Sequence, residues 1–139
     1  MPLPCDSPYE FWESDTLRGR GLLSMKHAAV LSGLGTLGKN TLFLHPVFGN
    51  LLTIGALLTD LDLSSDPLCE ELCIPGCTKC LDACPVHAIE SGQVNQEACR
   101  LHTYGKTARG FDTVDCNRCR TVCPLKYGKN PLYAKKPAL

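Results

Sequence analysis

Aromatic residues are few: one Trp, four Tyr and four Phe make up 6% of 139 residues. Long apolar runs are missing too. A bilayer-spanning helix needs about 18 or more consecutive apolar residues, and the best stretch, 51–58, falls far short. The N-terminus, Met1-Pro2-Leu3-Pro4-Cys5-Asp6, has no basic segment followed by an apolar one, so no secretory signal is read there. The expected address is cytoplasmic, with no membrane partner. Net charge is also absent, since 14 Lys+Arg balance 14 Asp+Glu. That balance conceals an asymmetry, however: residues 1–99 carry a net −7 and residues 100–139 a net +7.

Cysteine, by contrast, is abundant, with ten residues. Disulfides suit short secreted chains, whereas metal ligation is the usual explanation in a cytosolic one. The spacing supports metal. Cys77-x2-Cys80-x3-Cys84-Pro85 recurs 39 residues later as Cys116-x2-Cys119-x3-Cys123-Pro124. The bacterial ferredoxin run is C-x2-C-x2-C-x3-C-P, and its fourth cysteine ligates the other of two clusters. Here the first run starts at Cys73, one residue early, because Ile74-Pro75-Gly76 fills a gap normally two long. The second run lacks its own first cysteine, and Cys99 is the substitute. The expected ligand sets are Cys73, Cys77, Cys80 and Cys123 for one [4Fe-4S] cluster, and Cys84, Cys99, Cys116 and Cys119 for the other. Four-thiolate zinc is the competing reading, but it leaves four thiols and both Cys-Pro endings unexplained. Cys69 and Cys5 are left over, the first expected as a buried thiol and the second as an ordinary one. Arg100, Arg118 and Arg120 stand beside ligands, where they would offset cluster charge.

Upstream of the cysteines, residues 1–20 read as Pro-rich and irregular, and the apolar spacing over 22–32 predicts a helix stopped by Gly33 and Gly35. The apolar runs 41–44 and 51–58, separated by 45–50, predict a strand pair, and Asp66-Pro67 a turn. A further helix is expected over 93–104, with short helical pieces between cysteines. Gly33-x-Gly35-x-x-Gly38 matches the dinucleotide fingerprint in spelling only, because it follows a helix rather than a strand. His27, His45, His87 and His102 do not cluster in sequence and read as surface or capped residues. The tail from Lys126 to Lys136 reads as solvated.

Several motifs in order, Gly33-Leu34-Gly35-Thr36-Leu37-Gly38-Lys39-Asn40-Thr41, Phe48-Gly49, Leu58-Thr59-Asp60-Leu61-Asp62-Leu63 and Cys77-Thr78-Lys79-Cys80-Leu81-Asp82-Ala83-Cys84-Pro85, resemble the epoxyqueuosine reductase family over about residues 22–125. The resemblance implies a cobalamin-dependent oxidoreductase of the tRNA queuosine pathway, whose two [4Fe-4S] clusters feed electrons to the corrinoid. It implies that the eight cysteines are cluster ligands and that Gly35, Gly38, Lys39 and Asn40 form a turn near the cofactor. The family's N-terminal α/β region has no counterpart here. The place of its proton-donating aspartate falls near Gly19, and its turn tryptophan is Thr36, so no catalytic residue is assigned.

The expected fold is α+β, with a helix and strand segment over 1–66, the remnant of an α/β domain, and a double-cluster ferredoxin-like domain over 67–139. The expected function is electron transfer to a cobalamin-type reductase site, with redox donor and acceptor proteins, a corrinoid-binding subunit or tRNA as partners. A stand-alone ferredoxin-like carrier and a zinc-stapled binding module are the alternatives.

Overall fold

The protein is described here by a computed structural model covering Met1 and residues 11–15, 18–21 and 23–129. Cys5 and the tail beyond Lys129 lie outside the described residues. Helices and strands are mixed and short, in keeping with the α+β expectation. Four two-stranded antiparallel sheets pair β1 (Phe11–Glu13) with β2 (Arg18–Arg20), β3 (Thr36–Leu37) with β4 (Phe43–Leu44), β5 (Ile89–Glu90) with β6 (Gln93–Val94), and β7 (Tyr104–Lys106) with β8 (Asp112–Val114). The helices are α1 (Met25–Leu31), α2 (Lys79–Asp82), α3 (Gln96–Thr103) and α4 (Arg118–Thr121). Among the described residues no helix is long and apolar enough to cross a membrane.

The helix expected over 22–32 is α1, and Gly33 ends it with φ +74. That left-handed value is cheap only for glycine, and a Cβ there would run into the Pro67 carbonyl. The expected pairing of 41–44 with 51–58 is wrong. Instead β4 pairs with β3, Leu37 opposite Phe43. The turn between them is closed by Gly38 N–H on Leu42 O at 2.9 Å and by Leu42 N–H on Asn40 Oδ1 at 3.2 Å. No strand runs through 51–58, and Leu57 stands 75% exposed. The apolar run reported a tendency to leave water, but named no partner. Within the supposedly irregular 1–20, β1 and β2 form a hairpin, and no turn forms at Asp66-Pro67. The helix expected from residue 93 begins later, since 93–94 is β6 and Asn95 caps α3 by accepting from Ala98 N–H at 3.0 Å.

The 39-residue repeat is structural as well as sequential. In the first copy Leu81 and Asp82 N–H both donate to Thr78 O, Ala83 to Lys79 O, Cys84 to Leu81 O and His87 to Cys84 O. In the second, Arg120 and Thr121 N–H donate to Asn117 O, Val122 to Arg118 O, Cys123 to Arg120 O and Lys126 to Cys123 O. Each bond has its counterpart 39 positions on. The two helices of the repeat, α2 and α4, lie against each other. The core is correspondingly thin. Cys84, Ala88 and Ile89 are buried, with Leu81, Val94, Ala98, Cys99 and Cys119 packed round them. Ala29, Phe43 and Leu44 are buried apart from these, where α1 meets β4. No described side chain is wholly buried.

Candidate metal centre

The nine described cysteines are all free thiols. Cys84 is buried and the other eight, Cys69 included, are only partly so. Eight of them fall into two neighbourhoods. Burial pushes the Cys80 thiol above its ordinary value, and the nearby thiolates of Cys73, Cys123 and Cys77 push it further. Cys123 is raised likewise, by burial first and then by Cys73 and Cys77. Cys119 is raised by burial and then by Cys99, Cys116 and Cys84, against the opposing pull of Arg120. The thiols that influence one another are thus 73, 77, 80 and 123 in one place and 84, 99, 116 and 119 in the other. Each set takes one cysteine from the far side of the repeat. Among the described residues no three His, Cys, Asp or Glu side chains form a group able to hold a single metal ion.

Local sequence explains the first neighbourhood. The extra residue between Cys73 and Cys77 is absorbed in a tight turn, with Cys77 N–H on Ile74 O at 3.2 Å and Gly76 at φ +73. Pro second and a left-handed Gly third is the sequence such a turn demands, and it brings Cys77 back towards Cys73. Ahead of it, the Glu71 carboxylate accepts from Cys73 N–H at 2.8 Å and from Thr36 Oγ1 at 3.3 Å. In the second neighbourhood Ala88 N–H donates to Cys84 Sγ at 3.3 Å.

The glycine turn braces both. Lys39 Nζ donates to Cys77 O at 2.8 Å, Asn40 Nδ2 donates to Cys119 O at 3.1 Å, and Gly92 N–H donates to Lys39 O at 2.9 Å. A cavity lies between this turn and the first neighbourhood. It is lined by Gly38, Lys39, Asn40 and Asn50 on one side and by Cys73, Cys77, Cys80 and Cys123 on the other. A groove of about 420 Å³ runs alongside, sharing Gly38, Lys39 and Cys73 and reaching Thr41, Glu71 and Ser91. Gly35 lines neither. It is buried where a Cβ would strike the Leu44 carbonyl, so its role in this structure is to let β3 approach β4. The four histidines stay apart: His27, His87 and His102 are exposed, and His45 Nδ1 accepts from Val47 and Phe48 N–H at 3.0 and 3.2 Å.

No family model matches the chain. An epoxyqueuosine reductase of Bacillus subtilis (strain 168) is 32% identical over 134 residues, 89% of this chain and 34% of the relative. The chain resembles the epoxyqueuosine reductases. Another, from Synechococcus sp. (strain CC9605), is 36% identical over 112 residues, 72% of this chain and 35% of its own. This chain therefore spans about a third of the length of the curated epoxyqueuosine reductases it matches. The solved structures agree. One of epoxyqueuosine reductase bound to an epoxyqueuosine-modified tRNA-Tyr stem loop has a TM-score of 0.64 and 32% identity, over 79% of this chain and 32% of that one. The resemblance and the cysteine pattern were legible early, but two residues were not. Glu71 touches its partner Thr36 from 35 positions away, and Asn50 meets Arg120 and Lys126 from 70 or more. No local motif marks contacts of that separation.

Proposed function

We propose that this chain holds two [4Fe-4S] clusters and relays electrons as the iron–sulfur portion of an epoxyqueuosine reductase-type oxidoreductase. One observation carries the reading: the thiols gather as two sets of four, each completed by a cysteine from the other repeat, in a chain that resembles those enzymes. That crossed pattern is the one the ferredoxin run produces. The donor chemistry fits, because four thiolates are what each cluster takes. Spacing favours a cluster over zinc. A four-thiolate zinc site would leave four thiols and both Cys-Pro endings without a role. On this reading residues 67–129 form the ferredoxin-like unit, and 23–66 is the segment that braces it.

When bound, such clusters store and pass on single electrons at potentials set by hydrogen bonding and exposure. The chain's own work is to hold and tune. Eight thiolates anchor, the Ala88 amide supports Cys84, and Arg120 and Lys126 favour the charged forms of Cys119 and Cys123. The brace from Lys39 and Asn40 fixes both loops, so that little has to move when charge arrives. Cobalamin fits less well: the 420 Å³ groove cannot enclose a corrinoid. A corrinoid would be held by surface outside the described residues or by a partner, with Gly38 and Lys39 at its edge. The relative solved with a tRNA stem loop is the reason to name tRNA as substrate class.

The test is iron and acid-labile sulfide content with an absorption spectrum, on protein handled without oxygen. About eight of each per chain, with a brown band that bleaches on reduction, is expected. Colourless protein containing zinc would overturn the proposal. Titration with cobalamin, followed by absorption, then separates a corrinoid-binding chain from a simple carrier.

A further inference from the structure

Asn50 is 3% exposed, and its side-chain Oδ1 has no hydrogen-bond partner. Its backbone is held on both sides by the segment that carries Cys119 and Cys123. Asn50 N–H donates to Lys126 O at 3.2 Å, and Arg120 Nη1 donates to Asn50 O at 2.8 Å. Asn50 lines the cavity that Cys73, Cys77, Cys80 and Cys123 also line. Burying a polar group without a partner costs about 1–3 kcal/mol, so an asparagine fixed this firmly against four thiols calls for a partner in that cavity. The two ends of a primary amide have nearly the same shape and are assigned from their surroundings. Beside sulfurs bearing negative charge, the N–H end is the one that faces them.

We propose that the Asn50 side-chain amide donates a hydrogen bond to a sulfur of the cluster held by Cys73, Cys77, Cys80 and Cys123, and thereby raises its reduction potential. This rests on the two-cluster reading above. The sign follows from charge. Reduction adds one electron to the cluster, the sulfurs become more negative, and an N–H donor favours that state more than the oxidised one. The proton stays on Asn50, and no bond is made or broken.

The test uses the full chain with both clusters assembled anaerobically. Dithionite is the one-electron reductant, and the paramagnetic signal of each reduced cluster is followed against potential. Asn50→Leu removes the donor at similar volume, and Asn50→Asp removes it at the same shape. The expected result is that both variants lower the potential of one cluster only, by roughly the 59 mV that a tenfold change means for one electron. Leu42→Val, in the same cavity but without a donor, leaves both potentials in place. The wild-type signal also carries an exchangeable proton coupling that Asn50→Leu loses. Eight irons per chain with unchanged potentials in both Asn50 variants would overturn the hydrogen bond and leave the clusters standing. A wild-type chain with no iron would overturn both.

Discussion

Gly49 and Gly76 share a left-handed backbone, φ +72 and +73, but not their surroundings. Nothing lies within 4 Å of a Cβ built on Gly76, whereas one on Gly49 would overlap the carbonyl groups of Lys126 and Leu125. Gly76→Ala should therefore cost only the conformational penalty, about 1 kcal/mol. Gly49→Ala adds overpacking, typically another 1–3 kcal/mol. The colliding atoms are backbone and cannot swing aside. They are also tied down: Asn50 N–H bonds Lys126 O, and Lys129 N–H bonds Pro46 O at 2.8 Å. The difference between the two variants is then about 2 kcal/mol, roughly thirtyfold in an equilibrium constant. Because the strain sits in the native state, it emerges mainly as faster unfolding. The assay is anaerobic bleaching of the visible band in a fixed denaturant concentration. Gly49→Ala should bleach more than tenfold faster than Gly76→Ala. Equal rates would refute the reasoning, because they would mean that the 45–50 loop does not lock against the chain following Cys123.

The crossed ligand sets predict paired losses. Cys80→Ser and Cys123→Ser should each reduce iron from about eight to about four per chain and remove the same cluster signal, while Cys99→Ser and Cys116→Ser remove the other; loss of different signals from Cys80→Ser and Cys123→Ser would break the assignment. Thr41 holds φ +58, which a β-branched residue adopts only under strain. Thr41→Gly should stabilise the protein by about 1 kcal/mol, read as a higher denaturation midpoint, and a lower midpoint would count against strain there. In the cluster-free protein, Cys80, Cys119 and Cys123 have raised thiol values. A raised folded-state value gives stability that is present below the unfolded value, near 9.0, and lost as pH rises through the folded one. Thermal midpoints of apo-protein should therefore fall as pH rises above about 9, and a flat profile would show that these thiols are not shielded.

What the sequence disclosed and what it hid divide along contact distance. The repeat was readable because four of the proposed ligands sit within a dozen residues, and their spacing is set by local helical geometry at α2 and α4. The helix at 25–31 was readable from its period and from Gly33. The β3–β4 pairing was not, because it depends on the Asn40 side chain closing a turn that the apolar pattern does not record. The exposed leucines at 57 and 58 misled for a related reason. Apolar character says that burial is favourable, but not against what. Asn50 reads as one more loop polar residue until the fold carries it beside four cysteines.

The brace also bears on direction. A perfectly two-fold pair of cluster loops would give two equivalent stations, and an electron would have no preference between them. The glycine turn cannot respect such symmetry, because it is a single element touching both halves. Lys39 reaches Cys77, whose repeat mate is Cys116, yet Asn40 reaches Cys119, the mate of Cys80. The second asymmetry is chemical. Cys73 precedes a turn of its own chain run and has Glu71 on its amide, while its counterpart in the proposed second set, Cys99, comes from a helix and has Thr103 Oγ1 3.7 Å from its sulfur. Cations differ as well, Lys126 acting on Cys123 and Arg120 on Cys119. Since potentials follow hydrogen bonds and local charge, two clusters held this way, as proposed, would differ in potential, and that difference would give a relay its direction.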